Sequence, residues 1–319
     1  MKIHYIEHKD INKEKWDYCI ETACNGRIYA MSWYLDAVAD YWDALIVSDY
    51  EMVFPLTYRK IFGLKILHQP FLAQQLGIFA QNALSHEIIR EFLKAIPKKF
   101  LLGELHLNAG NNILSNKKFP VKQGINIELD IRHSIETIKE EYSSSNKRNL
   151  KRSYKNNIQI REGANYRRII DTFRAKKGKE YNLSESCYNT TYNLFEVITK
   201  RKQLIVYDAY SEEGTFVAGL VVSPFKNQMI ALFLGSSPDS YKIYANHLLF
   251  DHAIEKAAQS KEIFDFEGSN TESLAFVYHG FGGKTVPYPI VTISNVPKFI
   301  VKVFTLLRNL KRKPSNKKA

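Results

Sequence analysis

Two carboxylates separated by one residue, Asp265 and Glu267, stand in the run Phe264-Asp265-Phe266-Glu267-Gly268-Ser269-Asn270. On a strand, residues i and i+2 project from the same face, so the two acids would stand side by side. Such a pair can position an ammonium nucleophile and accept its proton, the task of a general base. It can equally pair with cations or cap the next helix, a role for which Asn270 and Thr271 compete. Gly268 and Ser269 at the strand's end favour a cleft there. Tyr278 and His279 follow, and either can donate to a developing oxyanion or relay a proton. Beside them, Gly280, Gly282 and Gly283 surround Phe281 and permit positive φ and close approach to a ligand, although a tight turn needs the same glycines.

A donor carrying phosphates has two candidate seats. Lys147, Arg148, Lys151, Arg152 and Lys155 fall within less than half the circumference of a helix, with Leu150 facing away. Repulsion along such a face is relieved when an anion approaches, and a solvated surface helix is the competing reading. The second seat is Gly235-Ser236-Ser237-Pro238-Asp239-Ser240, a strand-to-helix link where free backbone N–H groups can bind an anion. Asp239 or Ser240 serves there as an N-cap in the simpler account. Asn246, on the helix that follows, offers an amide to a substrate.

The elements that must hold these groups occur in a repeated order. A strand at residues 2–7 and helices at 13–22 and 32–40 precede a hairpin of Ala44–Val47 and Met52–Leu56. Ser85 caps a helix with Ile88, Ile89, Phe92, Leu93 and Ile96 at helical spacing, and Phe100–Leu107 resumes a strand. The second half opens on strand Ile125–Ile131 and helices near 134–142, 146–156, 165–178 and 185–200. A hairpin (204–206 and 216–222), a strand at 229–234, a helix at 243–259 and a strand at 262–266 follow. Strand, helix and strand over Leu76–Asn108 thus match the same order over 228–266. We expect an α/β (α+β) chain of two tandem domains, each a mixed sheet flanked by helices. The expected boundaries are 1–124, completed by 286–310, then 125–285, with a basic tail at 311–319.

The chain has 319 residues, enough for two domains, and 45% hydrophobic with 13% aromatic residues supports sizeable cores. Three scattered cysteines fit neither a disulfide framework nor a zinc site and point to a reducing compartment. No metal-ligand cluster or Walker loop occurs, so no tightly bound cofactor is expected. The first residues alternate like a strand and lack a signal peptide's apolar core, which points to the cytoplasm. A net charge of +12 gathers at Lys147–Lys179 and at Lys298–Lys318, a stretch without an acidic residue. RNA, a lipid surface and a phosphorylated substrate are all eligible partners. In the tail, Phe299, Ile300, Val303, Phe304, Leu307 and Leu310 form an apolar stripe framed by cations. That pattern suits peripheral contact with the inner membrane face, or packing on the first domain.

Taken together, the unit used twice, the basic helix Ser145-Asn146-Lys147-Arg148-Asn149-Leu150-Lys151-Arg152, and Phe264–Ser269 followed by Gly280-Phe281-Gly282-Gly283 resemble the tandem GNAT-fold acyltransferases of the FemAB/FemX type. Gln74-Gln75-Leu76-Gly77-Ile78-Phe79 is similar to that group's first-domain strand entry. The resemblance implies transfer of an acyl or aminoacyl group from aminoacyl-tRNA or acyl-CoA to an amine, which in known members belongs to a lipid-linked cell-wall (peptidoglycan) precursor. Tyr278 stands where the family's motif carries a lysine, and Asn108-Ala109 where it carries Asp-Pro. The alternative is a catalytically silent module of the same fold that binds RNA or anionic membrane.

Overall fold

The computed structural model describes residues 1–268 and 271–297. The first half runs β1 (Ile3–Ile6), α1 (Lys13–Thr22), α2 (Ser32–Val38), β2 (Tyr41–Val47), β3 (Met52–Ile61), β4 (Leu64–Leu67), β5 (Phe79–Ala80), α3 (His86–Ala95) and β6 (Leu102–His106). Then come β7 (Val121–Asp130), α4 (Ile135–Glu140), α5 (Ser144–Lys155), β8 (Gln159–Gly163), α6 (Tyr166–Phe173), α7 (Glu185–Lys200), β9 (Ile205–Tyr210), β10 (Phe216–Phe225) and β11 (Gln228–Ser236). The chain continues with α8 (Pro238–Lys242), α9 (Ala245–Ala258), β12 (Ile263–Asp265), α10 (Glu272–Gly280) and β13 (Lys284–Ser294). Helix starts follow side-chain caps: Asn12 accepts from the Lys15 N–H, and Ser85 from the Ile88 N–H. The expected helix over 165–178 is α-helical only to Phe173 and passes into a π-turn at Arg174–Gly178. The helix expected after Pro297 lies outside the described residues.

One sheet holds β1-β2-β3-β4 in that order, with β5 added to β3. The other has eight strands ordered β6-β13-β7-β12-β11-β10-β9-β8. β13 runs antiparallel to both β6 and β7, so the last described strand sits between the two halves. The expected boundary at 124 is therefore crossed by a continuous sheet, and β6 leaves the first half's own sheet. A trace of the repeat persists there. Leu76 and Leu107 form a parallel bridge where the second half pairs β11 with β12 in parallel.

β11 and β12 pair only from Gln228–Ile263 to Ile230–Asp265. Beyond that point β11 stays with β10, while a register shift at Val221/Val222 leaves Leu232 opposite no partner. A bulge of this kind bends its strand, and the two parallel strands diverge into a wedge. α6 can lie close on the β10–β11 surface because Gly219 and Gly235 are register partners beneath it. A Cβ at Gly235 would lie 2.1 Å from the Ile169 carbonyl oxygen.

The halves are joined by an apolar core and by a buried polar chain. Trp33, Tyr34 and Leu35 of α2 share one core with Phe195 and Ile198 of α7. Next to it, the Arg27 guanidinium donates to Glu128 Oε1 at 3.1 Å and to Gln228 Oε1 at 2.9 Å. It lies 3.7 Å from Asp265 Oδ2. Asn126 Nδ2 donates to Asp265 Oδ1 at 2.9 Å and to Glu128 Oε1 at 3.2 Å. Gln74 donates to Asn126, Gln75 to Gln74, and the Ala109 N–H to Gln75. Each buried amide thus has its partner, which is what removal from water demands.

Two outcomes follow. Arg27→Met leaves Glu128 and Asp265 without their cation, a loss of about 3–5 kcal/mol, seen as a lower thermal midpoint at pH 7 and a smaller loss near pH 5. An unchanged midpoint would deny the guanidinium any part in docking the halves. Gly235→Ala forces α6 off the sheet at about 1–3 kcal/mol, again read in the melting curve.

Candidate active site

β12 ends at Asp265, and Glu267 adopts a left-handed backbone with φ +46°. The expected alternation is therefore broken, and the two acids do not share a strand face. They remain neighbours by another route: Asp265 Oδ1 accepts the Glu267 N–H at 2.9 Å. Burial, reinforced by the Asp265 charge, pushes the Glu267 carboxyl up to about 8. Burial and then the Glu128 charge hold Asp265 above the usual carboxylate range, opposed by Arg27 and the Asn126 amide. The pair sits at the wedge mouth, where the second half faces the first.

Tyrosines surround this carboxyl group. Burial first, then the charges of Glu267 and Asp265, push the Tyr29 hydroxyl far up, so it stays protonated. Among the described residues, that hydroxyl has no hydrogen-bond partner. Tyr34 is also held protonated by burial and by Glu267, and it donates to the Leu72 carbonyl at 2.6 Å. Tyr278 is buried on α10, its ring stacked on Phe266 at 4.6 Å between centroids. Burial and the nearby Glu267 raise its hydroxyl as well. Neutral phenols facing a titrating carboxyl are hydrogen-bond donors at any physiological pH.

The other residues of this segment take up structural positions. The His279 ring, on the exposed side of α10, engages the Gly283 carbonyl through Nδ1 at 2.8 Å and Thr285 through Nε2 at 3.3 Å. It ties the turn into β13. Phe281 is fully buried, meeting Tyr142 edge-on at 5.1 Å and Phe250 at 6.1 Å. Expected at a substrate surface, it belongs to the core. Gly282 has φ +84° and closes the end of α10 by donating to the His279 carbonyl, so the turn reading holds for it.

The turn between β11 and α9 gathers several of the expected donor-binding groups. Ser236 Oγ donates to Asn246 Oδ1 at 2.8 Å. Arg152 Nη1 donates to the Tyr244 hydroxyl at 2.6 Å, and Tyr244 opens α9 in a left-handed conformation uncommon for a bulky residue. Asn149 Nδ2 lies 3.1 Å from His247 Nε2, and burial drops that imidazole to about 4, leaving it neutral. Gly235, at the start of this turn, also lets α6 approach the sheet.

The α5 cations divide their tasks. Lys147 Nζ donates to the Glu140 carbonyl at 2.8 Å, while Arg148 and Lys151 are exposed. Lys147, Lys151 and Lys155 line an open groove of about 600 Å³ with Tyr142, Tyr154 and the buried Asp251. Leu150 turns inward, as its spacing predicts.

Arg27, Tyr29, Asn126, Glu128 and Gln228 were not singled out in the sequence. They carry no motif and lie up to 240 residues from the acids they touch. Gln74-Gln75, read there as a strand entry, and Ala109, read beside Asn108, mark the same polar chain. Among the described residues no group of three or more His, Cys, Asp or Glu side chains is placed to hold a metal.

No protein-family profile matches the chain, and no curated protein matches it by sequence. Solved structures do match it in shape. It superposes on a crystal structure of FemX at 11% identity and TM-score 0.67, over 94% of this chain and 99% of that one. A tandem GNAT protein from the clavulanic acid biosynthesis pathway gives 10% identity and TM-score 0.56 over 93% and 99%. L-PGS from Bacillus licheniformis gives 14% identity and TM-score 0.51 over 97% and 99%. At such identities what is shared is architecture, and that architecture is a FemX-like tandem GNAT fold.

Proposed function

We propose that this protein is an N-acyltransferase that moves an acyl or aminoacyl group from an activated donor to an amine. The observation that carries the reading is the Glu267 carboxyl, held near 8 beside Asp265 at the wedge mouth of a tandem GNAT fold. An amine reaches the site largely as an ammonium ion and must lose a proton before it attacks. A base of matched pKa is the efficient acceptor. Ionised Glu267 takes that proton, the neutral amine adds to the donor carbonyl, and the carbonyl oxygen becomes an oxyanion. Tyr29 and Tyr278, kept as phenols, are the candidate donors to that charge. Collapse of the adduct expels the donor's thiol or ribose hydroxyl, which carries off the second nitrogen proton, and forms the new amide.

The donor's phosphates are assigned to the exposed cations of α5 and to the β11–α9 turn with Ser236 and Asn246. Either aminoacyl-tRNA or acyl-CoA meets those requirements, and an amine on a lipid-linked precursor is an eligible acceptor. His279 is retained as a proton relay toward solvent. The exposed face of Arg148, Lys151 and Lys155 favours one further reading, a silent module that binds RNA. RNA binding that falls steeply with salt, without turnover, would select it.

Incubation with charged tRNA, acyl-CoA and candidate amines, followed by mass spectrometry, decides between them. Glu267→Gln is expected to lower kcat by roughly 10²-fold or more, and to abolish the rise of parental activity as pH passes through about 8. Absence of product from both donors would end the enzymatic reading.

Stability supplies an independent check. Glu267 is about 8 when folded and 4.5 ordinarily. The folded state therefore holds the proton more tightly, and stability falls as pH climbs from about 4.5 toward 8. Glu267→Gln removes this dependence. The variant's melting temperature should exceed the parent's at pH 9 by more than at pH 5, and equal differences would contradict the raised carboxyl.

A further inference from the structure

The hairpin between β3 and β4 presents apolar side chains to water. Phe62 is 98% exposed, and its neighbours Ile61 and Leu64 are 39% and 44% exposed. Phe62 and Gly63 have φ +50° and +79°. Two-residue turns with both φ values positive are usually built from Asn-Gly or Gly-Gly, because a bulky side chain there is strained. Ile61 and Leu64 are paired across the hairpin just below it, so the tip is held firmly.

Cations ring this tip. Lys60 Nζ lies 4.4 Å from the centre of the Tyr41 ring, which is itself exposed. Arg59 and Lys65 are matched by Asp40 and Asp43. The Leu101 N–H donates to the Lys65 carbonyl at 3.0 Å, bringing exposed Lys98 to the hairpin's flank beside Lys99, which is matched by Glu7. The end of the described chain lies at the same place. Asn295 donates to the Leu101 carbonyl at 2.7 Å and, through its side chain, to the Phe100 carbonyl at 2.9 Å. Lys298–Lys318 follows directly, with eight Lys and Arg and no acidic residue.

We propose that the β3–β4 hairpin is a lipid-inserting anchor that seats this protein on an anionic bilayer surface. An aromatic and two aliphatic side chains enter the headgroup–acyl boundary, while Lys60 and Lys98 meet anionic headgroups. Nucleic acid satisfies the cations but offers no reason for a bare aliphatic pair beside Phe62. No helix among the described residues is long and apolar enough to cross a membrane, so the anchor is a peripheral one. The inference does not depend on acyl transfer.

The full chain is tested by flotation with phosphatidylcholine vesicles, with and without phosphatidylglycerol. Binding is expected only with the anionic lipid, and Phe62→Ser with Leu64→Ser should weaken it roughly tenfold or more at an unchanged melting temperature. A Phe62→Trp variant places a reporter at the tip, the native Trp16, Trp33 and Trp42 being buried. Its emission should be quenched by acrylamide in solution and by brominated acyl chains once bound. Three results would overturn the anchor. One is vesicle binding indifferent to the serine pair, and a second is bound protein that escapes bromine quenching. The third is a reporter already shielded from acrylamide without lipid, which would mean that the chain's own tail or a protein covers the tip.

Discussion

One guanidinium facing two carboxylates is the constraint around which the rest is arranged. Arg27 belongs to the first half, Glu128 and Asp265 to the second, and all three are buried or nearly so. A single cation cannot fully offset two buried anions, and Gln228 also draws on its donors, so the excess negative charge is met by the Asn126 amide and by a raised Asp265 carboxyl. The same excess, through Asp265, adds to the burial that chiefly raises the Glu267 carboxyl. Docking of the halves and tuning of the base are therefore one electrostatic problem.

The wedge itself is asymmetric. On the α9 and α10 side, Phe250, Phe264, Phe266, Tyr278 and Phe281 fill the space with rings 4.6–6.4 Å apart. The opposite side carries the tyrosines and the polar chain. Aromatic packing supplies the low dielectric that lifts Glu267, and the interface supplies the groups that can touch a ligand. Tyr278 takes part in both, packing its ring against one wall while its hydroxyl belongs to the other.

Local signals in the sequence identified most elements. Ser85 and the apolar spacing of α3 place that helix within a residue or two, because caps and periodicity act over one or two turns. β4 and β8 escape that reading, being short and mixed in pattern. At the site, Asp265 and Glu267 are legible as an acidic pair, but the strand alternation that joined them fails at a left-handed residue. Gly235 illustrates the limit of motif reading. Its lack of a side chain fits an anion loop as well as close helix packing, and only the Ile169 carbonyl beside it reveals the packing. Arg27 is beyond reach of any local rule, since its meaning lies entirely in partners from the other half.

β13 has a consequence for how the protein is made. It is the strand that separates β6 from β7, and it leaves the ribosome long after both of them. Until it emerges, the nascent chain holds two sheet edges open, each with a row of unpaired backbone groups exposed to other strands in the cell. Late closure by a distant segment is slow and prone to aggregation. Chaperone demand during synthesis should thus be set by one late-arriving strand rather than by either half alone.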